Sequence, residues 1–560
     1  MKLGTIIKAI PKEYLKEFYC ISALNIIRGI LDLAGLAALL PIVILLLLDE
    51  TNIGGNESLN TLIKALSIEG IQEFKIVLSI CVLLWLPLKS IFTIYINKAK
   101  HTYLLKLYRY YASAIFKLYY KRGLLFIKQS HSSQLGIKIN GACYGFAVQI
   151  VGGIINLFSE LFIVTLLIVI ALYASPLAVV LLFAIISPLI FVNFIITRRK
   201  IKELAAISFE MKKEQAATVQ DSLRGYVSMT ISGSQKKVFD KFNAGLKNIA
   251  KSDITYGIYN QIPSLLLQIM VATALITLMF ANDFIAGSTS LFVVFGFIAA
   301  KIMPSLTRIS NLWNIINGGG HMFDIIKEIN VNERPEYENN TSSNILSFNK
   351  EINIENIRFT FADGVNILNK FSLNIKKGEI IGFKGESGSG KSTLFNIILG
   401  LYQADEGKIY VDNTPLSSEN IDSWHKIIGY AEQETFISND SLAYNIAMSD
   451  DINIERLTQI IKSVKLEKLI ASLPQGIYTK MNEMGSNLSG GERQRIGVAR
   501  ALYKNVQLLL FDETTSALDI KNEESIISLL YDMAKKNNIT ILIISHKNNS
   551  LNICDRVIKM

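Results

Sequence analysis

The chain has 560 residues, which is more than one hydrophobic core usually organises, so more than one domain is expected. Half of the residues are hydrophobic and only 19% are charged, whereas about a quarter are charged in soluble proteins. The composition therefore disfavours a wholly soluble protein and predicts a membrane part. The net charge of +10 does not indicate a nucleic-acid partner, because Lys and Arg gather between apolar runs, as the positive-inside rule expects.

Six apolar stretches are long enough to cross a bilayer, which takes about 20 residues in a helix. They lie near residues 18–48, 75–97, 147–173, 176–197, 258–281 and 289–316. The segments after the second and fourth stretches are long and basic, so we expect them in the cytoplasm together with both termini. The acidic segment 49–73 and the turn at Asn282 and Asp283 are expected outside. The sequence thus predicts a multi-pass protein of the inner (cytoplasmic) membrane.

The two basic segments are rich in helix formers, so the spans are expected to continue past the membrane as long helices. Turn signals place the tips of these extensions near 124–136 and 222–234. A polar stretch at 330–347 is the predicted linker. It separates a transmembrane domain at 1–329 from a domain at 348–560, where short β-branched runs alternate with helical segments, as in an α/β fold.

A glycine-rich loop follows the strand-like run 379–384 and precedes an apolar helix from Thr393 to Leu401. The loop consists of Gly385, Glu386, Ser387, Gly388, Ser389, Gly390, Lys391 and Ser392. This spacing is that of a P-loop, in which backbone N–H groups cradle phosphate oxygens at a helix N-terminus. We expect Lys391 to contact the β- and γ-phosphates of ATP and Ser392 to contact Mg²⁺. An ordinary glycine-rich turn is the alternative, and the flanking strand and helix disfavour it.

Two further motifs follow downstream of the P-loop. The first is Leu488, Ser489, Gly490, Gly491 and Glu492, and the second is the apolar run 508–511 followed by Asp512 and Glu513. With these motifs the sequence resembles the ABC transporter family, and within it the half-size (type IV) exporters. The resemblance implies a six-span α-helical transmembrane domain joined to an α/β P-loop nucleotide-binding domain that hydrolyses ATP with Mg²⁺.

The resemblance also assigns roles to residues of the second domain. The signature residues Ser489, Gly490 and Gly491 would contact the γ-phosphate bound to a partner subunit. Asp512 would hold Mg²⁺ through water, and Glu513 would be the catalytic base. An acidic pair could instead be a helix cap, but capping alone predicts none of the neighbouring residues.

The remaining landmarks of the family are present in order. Gln433 matches the Q-loop glutamine, which senses the γ-phosphate and the metal, and His546 matches the switch histidine. Asp519 closes the matching D-loop, and Phe361 stands where relatives stack a tyrosine on adenine. With Thr393 and the P-loop, these residues make up the expected nucleotide site. Thr514, where relatives have alanine, is a departure from the pattern.

Family logic requires two copies of each domain, because the P-loop of one subunit meets the signature of the other. Since no half of the ATP site is degenerate here, a homodimer is favoured over a heterodimer. The tips near 124–136 and 222–234 would dock on the second domain near Gln433 and around Glu483.

Ionisable residues within spans are costly and mark a pathway or a paired site. The six in this chain are Arg28, Asp32, Lys89, Glu160, Lys301 and Arg308. Arg28 and Asp32 lie four apart on one helix, so an ion pair between them is the simplest interpretation. Lys89 and Lys301 have no such local partner and are the candidates for contact with an anionic head group.

The narrower resemblance is to bacterial ABC flippases of lipid-linked oligosaccharides. It rests on Lys301, Ile302, Met303, Pro304 and Ser305 and on the segments 473–476 and 485–488. It implies membrane lipids and a lipid-linked or amphipathic substrate as partners. A peptide or bacteriocin exporter, a lipid A exporter and a multidrug exporter remain open, as does an ATP-gated channel. A soluble ABC ATPase acting on DNA would carry coiled coils in place of apolar spans.

Overall fold

The computed structural model describes residues 3–37, 71–174, 176–280, 289–329, 346–361, 364–482, 485–514 and 520–560. The chain divides into two compact units, of which the first comprises Met1–Arg122 and Phe126–Glu336 and the second Gly123–Leu125 and Tyr337–Met560. The division near residue 336 falls inside the predicted linker, 330–347, most of which lies outside the described residues. The predicted domain limits stay a prediction.

The first unit is built of helices throughout its described residues. In chain order they are α1 Leu3–Ala9, α2 Lys12–Ala37, α3 Ile71–Lys121, α4 Gly123–Gln129, α5 Ser132–Gly136, the π-helical turns Ile137–Ala142 and Gly145–Val151, α6 Gly152–Ala174, α7 Pro176–Arg224, α8 Tyr226–Ile231, α9 Gln235–Phe280, α10 Thr289–Gly318 and α11 Gly320–Lys327, with the short α4 divided between the two units.

Three helical stretches in the described part of the chain are long and apolar enough to cross a membrane. They are Lys12–Gly35, Ser79–Lys121 and Ser132–Tyr173. Helices α7, α9 and α10 occupy the positions of the predicted fourth, fifth and sixth spans, but the count of six stays a prediction. Residues 38–48 of the first predicted span and the turn at Asn282 and Asp283 lie outside the described residues.

Some helices of the first unit are longer than a bilayer crossing requires, as the predicted extensions would need. Helix α3 has 51 residues, which corresponds to about 75 Å at a rise of 1.5 Å per residue, against a hydrocarbon core of about 30 Å. The tips differ from the prediction in one respect, because short helices rather than simple turns occupy them: α4 and α5 at the first and α8 at the second. Docking of the tips onto the second domain stays a prediction, and Glu483 lies outside the described residues.

The second unit contains nine strands in its described residues. They are β1 Glu351–Thr360, β2 Asn366–Lys376, β3 Ile380–Lys384, β4 Glu406–Val411, β5 Thr414–Pro415, β6 Ile428–Ala431, β7 Leu508–Asp512, β8 Thr540–Ile544 and β9 Arg556–Lys559. They form an antiparallel sheet of order β2-β1-β4-β5 and a parallel sheet of order β6-β7-β8-β3-β9. The helices between them are α12 Lys391–Ile398, α13 Ile421–Lys426, α14 Leu442–Ala447, α15 Ile454–Ser463, α16 Glu467–Ser472, α17 Gly490–Tyr503, α18 Ile520–Asn537 and α19 Asn548–Leu551.

The parallel sheet explains why the predicted site residues lie along one edge. Strands β7 and β8 are buried along their whole length, which is typical of a parallel sheet covered on both faces and accounts for their uninterrupted apolar sequences. The carboxyl ends of parallel strands lie along one edge of a sheet, and α/β folds bind ligands at that edge. The P-loop, Gln433, Glu513 and His546 all follow strands of this sheet, after β3, β6, β7 and β8 respectively.

Candidate nucleotide site

The P-loop is folded as a cradle at the start of a helix. Gly388 and Gly390 adopt positive φ angles of 87° and 93°, a left-handed conformation that glycine tolerates without strain. Gly390 is the N-cap of α12. At Gly390 a Cβ atom would lie 2.8 Å from Ile367 Cγ2, so no larger residue fits there without movement. The loop therefore leaves backbone N–H groups at a helix N-terminus, where an anion binds favourably.

Lys391 is buried at the base of this cradle, with 6% of its surface exposed. Its Nζ donates hydrogen bonds to the carbonyl oxygens of Gly385 (2.9 Å) and Glu386 (2.7 Å) and to Ser389 Oγ (3.3 Å). These acceptors are neutral, so the hydrogen bonds within the loop do not neutralise the positive charge of the ammonium group. A phosphate chain is the natural counter-ion for such a group.

Ser392, the next residue, shares its surroundings with Asp512. Burial raises the pKa of the Asp512 carboxyl; interaction with the Ser392 side chain opposes this rise, as do the Lys391 charge and the Tyr430 side chain. Tyr430 lies on β6 opposite Leu510, so its side chain shares a face of the sheet with Asp512.

The residues around Asp512 fit a magnesium ion. A serine hydroxyl and a carboxylate are the hard oxygen ligands that Mg²⁺ prefers, and it typically takes few protein ligands beside phosphate oxygens. Gln433 can add an amide oxygen, because its amide nitrogen is engaged elsewhere. Ser392, Asp512 and Gln433 would thus hold the ion.

Glu513 is held between two other predicted site residues. Its Oε1 lies 2.9 Å from His546 Nε2, and its Oε2 accepts a hydrogen bond of 3.1 Å from Gln433 Nε2. The backbone of Glu513 has a φ of +50°, which is unusual for a residue other than glycine. Its N–H donates to Ile544 O at the end of β8. The turn after β7 therefore directs the carboxylate towards the ends of the neighbouring strands.

The signature serine begins a helix. Ser489 is the N-cap of α17, and its Oγ accepts from Glu492 N at 3.3 Å. Glu492 Oε2 accepts in return from Ser489 N and Oγ, both at 2.8 Å. This capping box presents Gly490 and Gly491 in the first turn of the helix. The S-x-x-E spacing was visible in the sequence and predicts such a box.

Phe361 directly follows β1 and lies in an aromatic cluster. Its ring meets those of Phe359 and Tyr402 edge-on, with centroids 5.1 Å and 6.2 Å apart. The cluster fixes the ring in place, which suits a platform for a base. Thr514, the departure from the family pattern, is buried with 1% exposure. Asp519 and the rest of the predicted D-loop lie outside the described residues.

The ionisable residues of the helical unit are paired differently from the expectation. Lys89, which has no local partner in the sequence, finds one on another helix, because its Nζ lies 2.7 Å from Asp32 Oδ1. Arg28 does not pair with Asp32 but donates to Asn97 Oδ1 at 2.9 Å. The sequence spacing suggested a pair within α2, whereas the packing of α2 against α3 supplies partners from the other helix.

A second ion pair joins α6 and α10. Arg308 contacts Glu160 through both Nε (2.7 Å) and Nη2 (3.3 Å), and the Glu160 side chain is 9% exposed. Lys301 is half-buried on α10 and interacts electrostatically with Arg308, Asp32, Glu160 and Lys89. The six predicted ionisable residues thus include four cations and two carboxylates, and both carboxylates already have a cationic partner.

Sequence reasoning missed several residues around these sites. Lys100 is 7% exposed and donates to Asn156 Oδ1 at 3.2 Å. In the second unit, Arg500 donates to the carbonyl oxygens of Phe436 and Asn445, at 2.7 Å and 2.8 Å, and so fixes the segment that follows Gln433. These partners are distant in the chain, and the sequence carries no signal for them.

Comparison with known proteins agrees with this architecture. The family model described as ABC transporter matches residues 368–516. The solved structure of a bacterial Atm1-family ABC exporter with ATP bound superposes with a TM-score of 0.80 at 22% identity, covering 98% of this chain and 94% of that one. The chain therefore contains an ABC transporter domain and has the fold of an ABC exporter: a helical region joined to an α/β nucleotide-binding domain.

Curated relatives are similar over parts of their length. A probable ABC transporter ATP-binding/permease protein of Haemophilus influenzae is 33% identical over 65% of this chain and 66% of its own. An ATP-dependent lipid A-core flippase of Saccharophagus degradans is 30% identical over 61% and 58%. An alpha-hemolysin translocation ATP-binding protein of Proteus vulgaris is 33% identical over 50% and 40%. The chain thus spans between 40% and 66% of the length of these three relatives.

Proposed function

We propose that the protein hydrolyses ATP and uses the energy to move an anionic amphiphile of the lipid-linked oligosaccharide class across the cytoplasmic membrane. The observation that carries the ATPase part is the carboxylate of Glu513, held between Gln433 and His546 at the sheet edge that also bears the P-loop. A positioned carboxylate beside a phosphate cradle is the arrangement that phosphoryl transfer to water requires.

Each residue of this site has a distinct task in the proposed reaction. Lys391 and the P-loop N–H groups bind and orient the phosphates. Glu513 accepts a proton from the attacking water, and His546 and Gln433 hold its two oxygens in position. Bound Mg²⁺ would neutralise charge on the phosphates. Phe361 would stack on the adenine.

The proposed active form is a homodimer. Ser489, Gly490 and Gly491 would complete the ATP site of the partner subunit, and Asp519 would lie beside them. The capping box supports this role, because it fixes a helix N-terminus whose partial positive charge favours a phosphate. A complete set of Lys391, Glu513 and His546 supports two active sites rather than one.

The charge of the helical unit supports an anionic substrate. Lys89 and Asp32 balance each other, and so do Arg308 and Glu160. Lys301 then adds a positive charge to a region whose two carboxylates are already paired. A fixed positive charge between apolar helices attracts a phosphate or pyrophosphate head group. We therefore rank Lys301 above Lys89 as a substrate contact, with Lys89 released to the head group if the ion pair with Asp32 opens.

Stimulated ATPase activity of the purified protein in nanodiscs tests this proposal. We expect a polyprenyl-pyrophosphate oligosaccharide to stimulate hydrolysis, and Lys301→Met to abolish the stimulation while basal hydrolysis persists. Lys301→Arg keeps the charge and should retain much of the response. Lys16→Met, at an exposed position on α2, is the matched control. Full stimulation of the Lys301→Met protein would exclude the proposed contact.

A second candidate is export of a lipid A or peptide substrate. Matched relatives include a lipid A-core flippase and an alpha-hemolysin translocation protein. Lipid A and a basic or neutral peptide added in the same assay distinguish the options. Stimulation by the peptide alone would favour a peptide exporter, and stimulation that is insensitive to Lys301→Met would remove the charge argument.

A further inference from the structure

A buried carboxylate outside the predicted nucleotide site connects to the segment that carries the switch histidine. Glu523 lies in the first turn of α18 and is 2% exposed. A charged side chain so far from water is costly unless it is paired and hydrogen-bonded. Both of its oxygens are engaged by described residues, one on each oxygen, that follow His546 closely in the chain.

The first partner is Lys547, the residue next to His546. Its Nζ lies 2.9 Å from Glu523 Oε2, and its backbone N–H donates to Ser545 Oγ at 3.1 Å. The second partner is Ser550 in α19, which is 2% exposed and donates from Oγ to Glu523 Oε1 at 2.9 Å. Residues 545–550 are thus tied to α18 at two points, one immediately after the histidine.

The attachment of this segment to Glu523 adds to the contact between the His546 ring and Glu513. His546 Nε2 contacts Glu513, but the His546 side chain is 50% exposed, so packing alone does not fix its direction. The backbone that bears it is anchored upstream by β8 and downstream by the two bonds to Glu523. A displacement of about 1 Å at such a position can lower a rate by about 10²-fold.

We propose that Glu523 is a positioning residue for ATP hydrolysis, which holds the His546 segment in the geometry that Glu513 needs. It acts on the reaction indirectly, through Lys547 and Ser550. The inference rests on the proposed ATPase activity and adds a determinant of its turnover number.

The test compares Glu523→Gln with Glu524→Gln in the full-length protein. Glu524 is the adjacent, exposed residue on the same helix turn, so the control makes the same chemical change without the buried contacts. Glutamine keeps the shape and an acceptor oxygen but loses the charge. We expect Glu523→Gln to lower kcat by about 10- to 100-fold with KM for ATP changed less than about threefold. Glu524→Gln should resemble the unaltered protein.

A double-mutant cycle separates positioning from general stability. If Glu523 acts through His546, the Glu523→Gln/His546→Ala protein should be no slower than His546→Ala alone. A radiolabelled ATP assay resolves the slow residual turnover. Losses that multiply in the double variant would overturn the proposal, as would a Glu523→Gln protein with the kcat of the control.

A second variant covers poor folding of Glu523→Gln. Lys547→Met removes the ion pair with Glu523 by changing its half-exposed partner, where a substitution is tolerated more easily. It should lower kcat as much as Glu523→Gln does. In the His546→Ala background it should cause no further loss. An unchanged kcat in Lys547→Met would contradict the inference. Absence of ATP hydrolysis in the unaltered protein would refute the proposed function. Normal hydrolysis in the unaltered protein together with an unchanged kcat in the variants would refute only the role of Glu523.

Discussion

His546 Nε2 and Glu513 Oε1 lie 2.9 Å apart, although 33 positions separate them in the chain. The contact arises because each residue follows a strand of the parallel sheet and because β7 and β8 are neighbours in it. In the proposed reaction, hydrolysis then depends on a carboxylate whose direction is set by two adjacent strands.

Glu513→Gln should bind ATP and hardly hydrolyse it. The amide keeps the shape and one acceptor oxygen, so the P-loop and the fold are unaffected, but it cannot take a proton. A general base contributes about 10²- to 10⁴-fold to a rate, and we expect kcat to fall by that amount. Phosphate release and fluorescent-nucleotide binding measure the two effects. Glu455→Gln, an exposed carboxylate on α15, is the control; a rate within threefold of it would refute the role as base.

Lys391→Ala should lose tight binding of ATP. Among the described P-loop residues, the Lys391 ammonium group is the one buried side-chain charge. Its hydrogen bonds to the charged phosphate oxygens of ATP would be worth about 1.5–3 kcal/mol, or roughly 10- to 100-fold in Kd. Lys384→Ala removes an exposed lysine from the preceding strand and should leave the Kd unchanged. Equal nucleotide affinity of the two variants would contradict the assigned contact.

Ser489→Ala should destabilise the start of α17 as well as impair hydrolysis. Loss of an N-cap typically costs about 1 kcal/mol, and threonine largely preserves the cap. Thermal unfolding of the full-length protein should therefore rank Ser489→Thr close to the unaltered chain and Ser489→Ala below both. A serine that only contacts nucleotide would instead give three equal unfolding temperatures without ATP.

Asp412→Asn should weaken the antiparallel sheet in a pH-dependent way. Burial alone would raise the pKa of Asp412, but backbone N–H groups of Asn349, Lys350 and Glu351 donate to its carboxylate and lower the pKa overall. A lowered folded-state pKa stabilises the protein above the ordinary carboxyl pKa of about 3.9, and this stabilisation disappears as the pH falls through the lowered value.

We expect the variant to be less stable by about 1 kcal/mol at pH 7, because three exposed backbone N–H groups lose their charged acceptor. The difference from the unaltered chain should shrink as the pH falls below about 4. Unfolding of both proteins by denaturant across this range measures it. A difference that is independent of pH would show that the negative charge of Asp412 is not what stabilises the turn.

The second domain was largely predictable from the sequence because its chemistry is local. The P-loop, Gly385–Ser392, follows one short apolar strand, and Asp512 and Glu513 lie at the end of another. The parallel arrangement of such strands brings their ends to one edge of the sheet. The capping box at Ser489 could also have been predicted from its spacing. The sequence did not predict which side chains pair with one another, such as Glu513 with Gln433 and His546, or Glu523 with Lys547 and Ser550.

The helical domain was less predictable, since partners there depend on how helices face one another. The pair Lys89 and Asp32 joins two helices whose register the sequence does not reveal, and the same holds for Arg308 and Glu160. Spacing of four residues made Arg28 and Asp32 a plausible pair, but interhelical packing overrode it. Hydropathy predicted apolar helices in regions where the structure has α2, α3, α6, α7, α9 and α10, but it did not indicate which of their faces meet.

ATP-driven translocation in proteoliposomes tests the account most directly. Vesicles containing the purified protein, with its nucleotide-binding domain outside, are loaded with a fluorescent polyprenyl-pyrophosphate oligosaccharide, and head-group exposure on each leaflet is followed by enzymatic accessibility. We expect ATP and Mg²⁺ to drive the head group from the outer to the inner leaflet in the unaltered protein, and no such movement in Glu513→Gln. Movement at equal rates in both proteins, or ATP hydrolysis with no movement of any tested amphiphile, would contradict it.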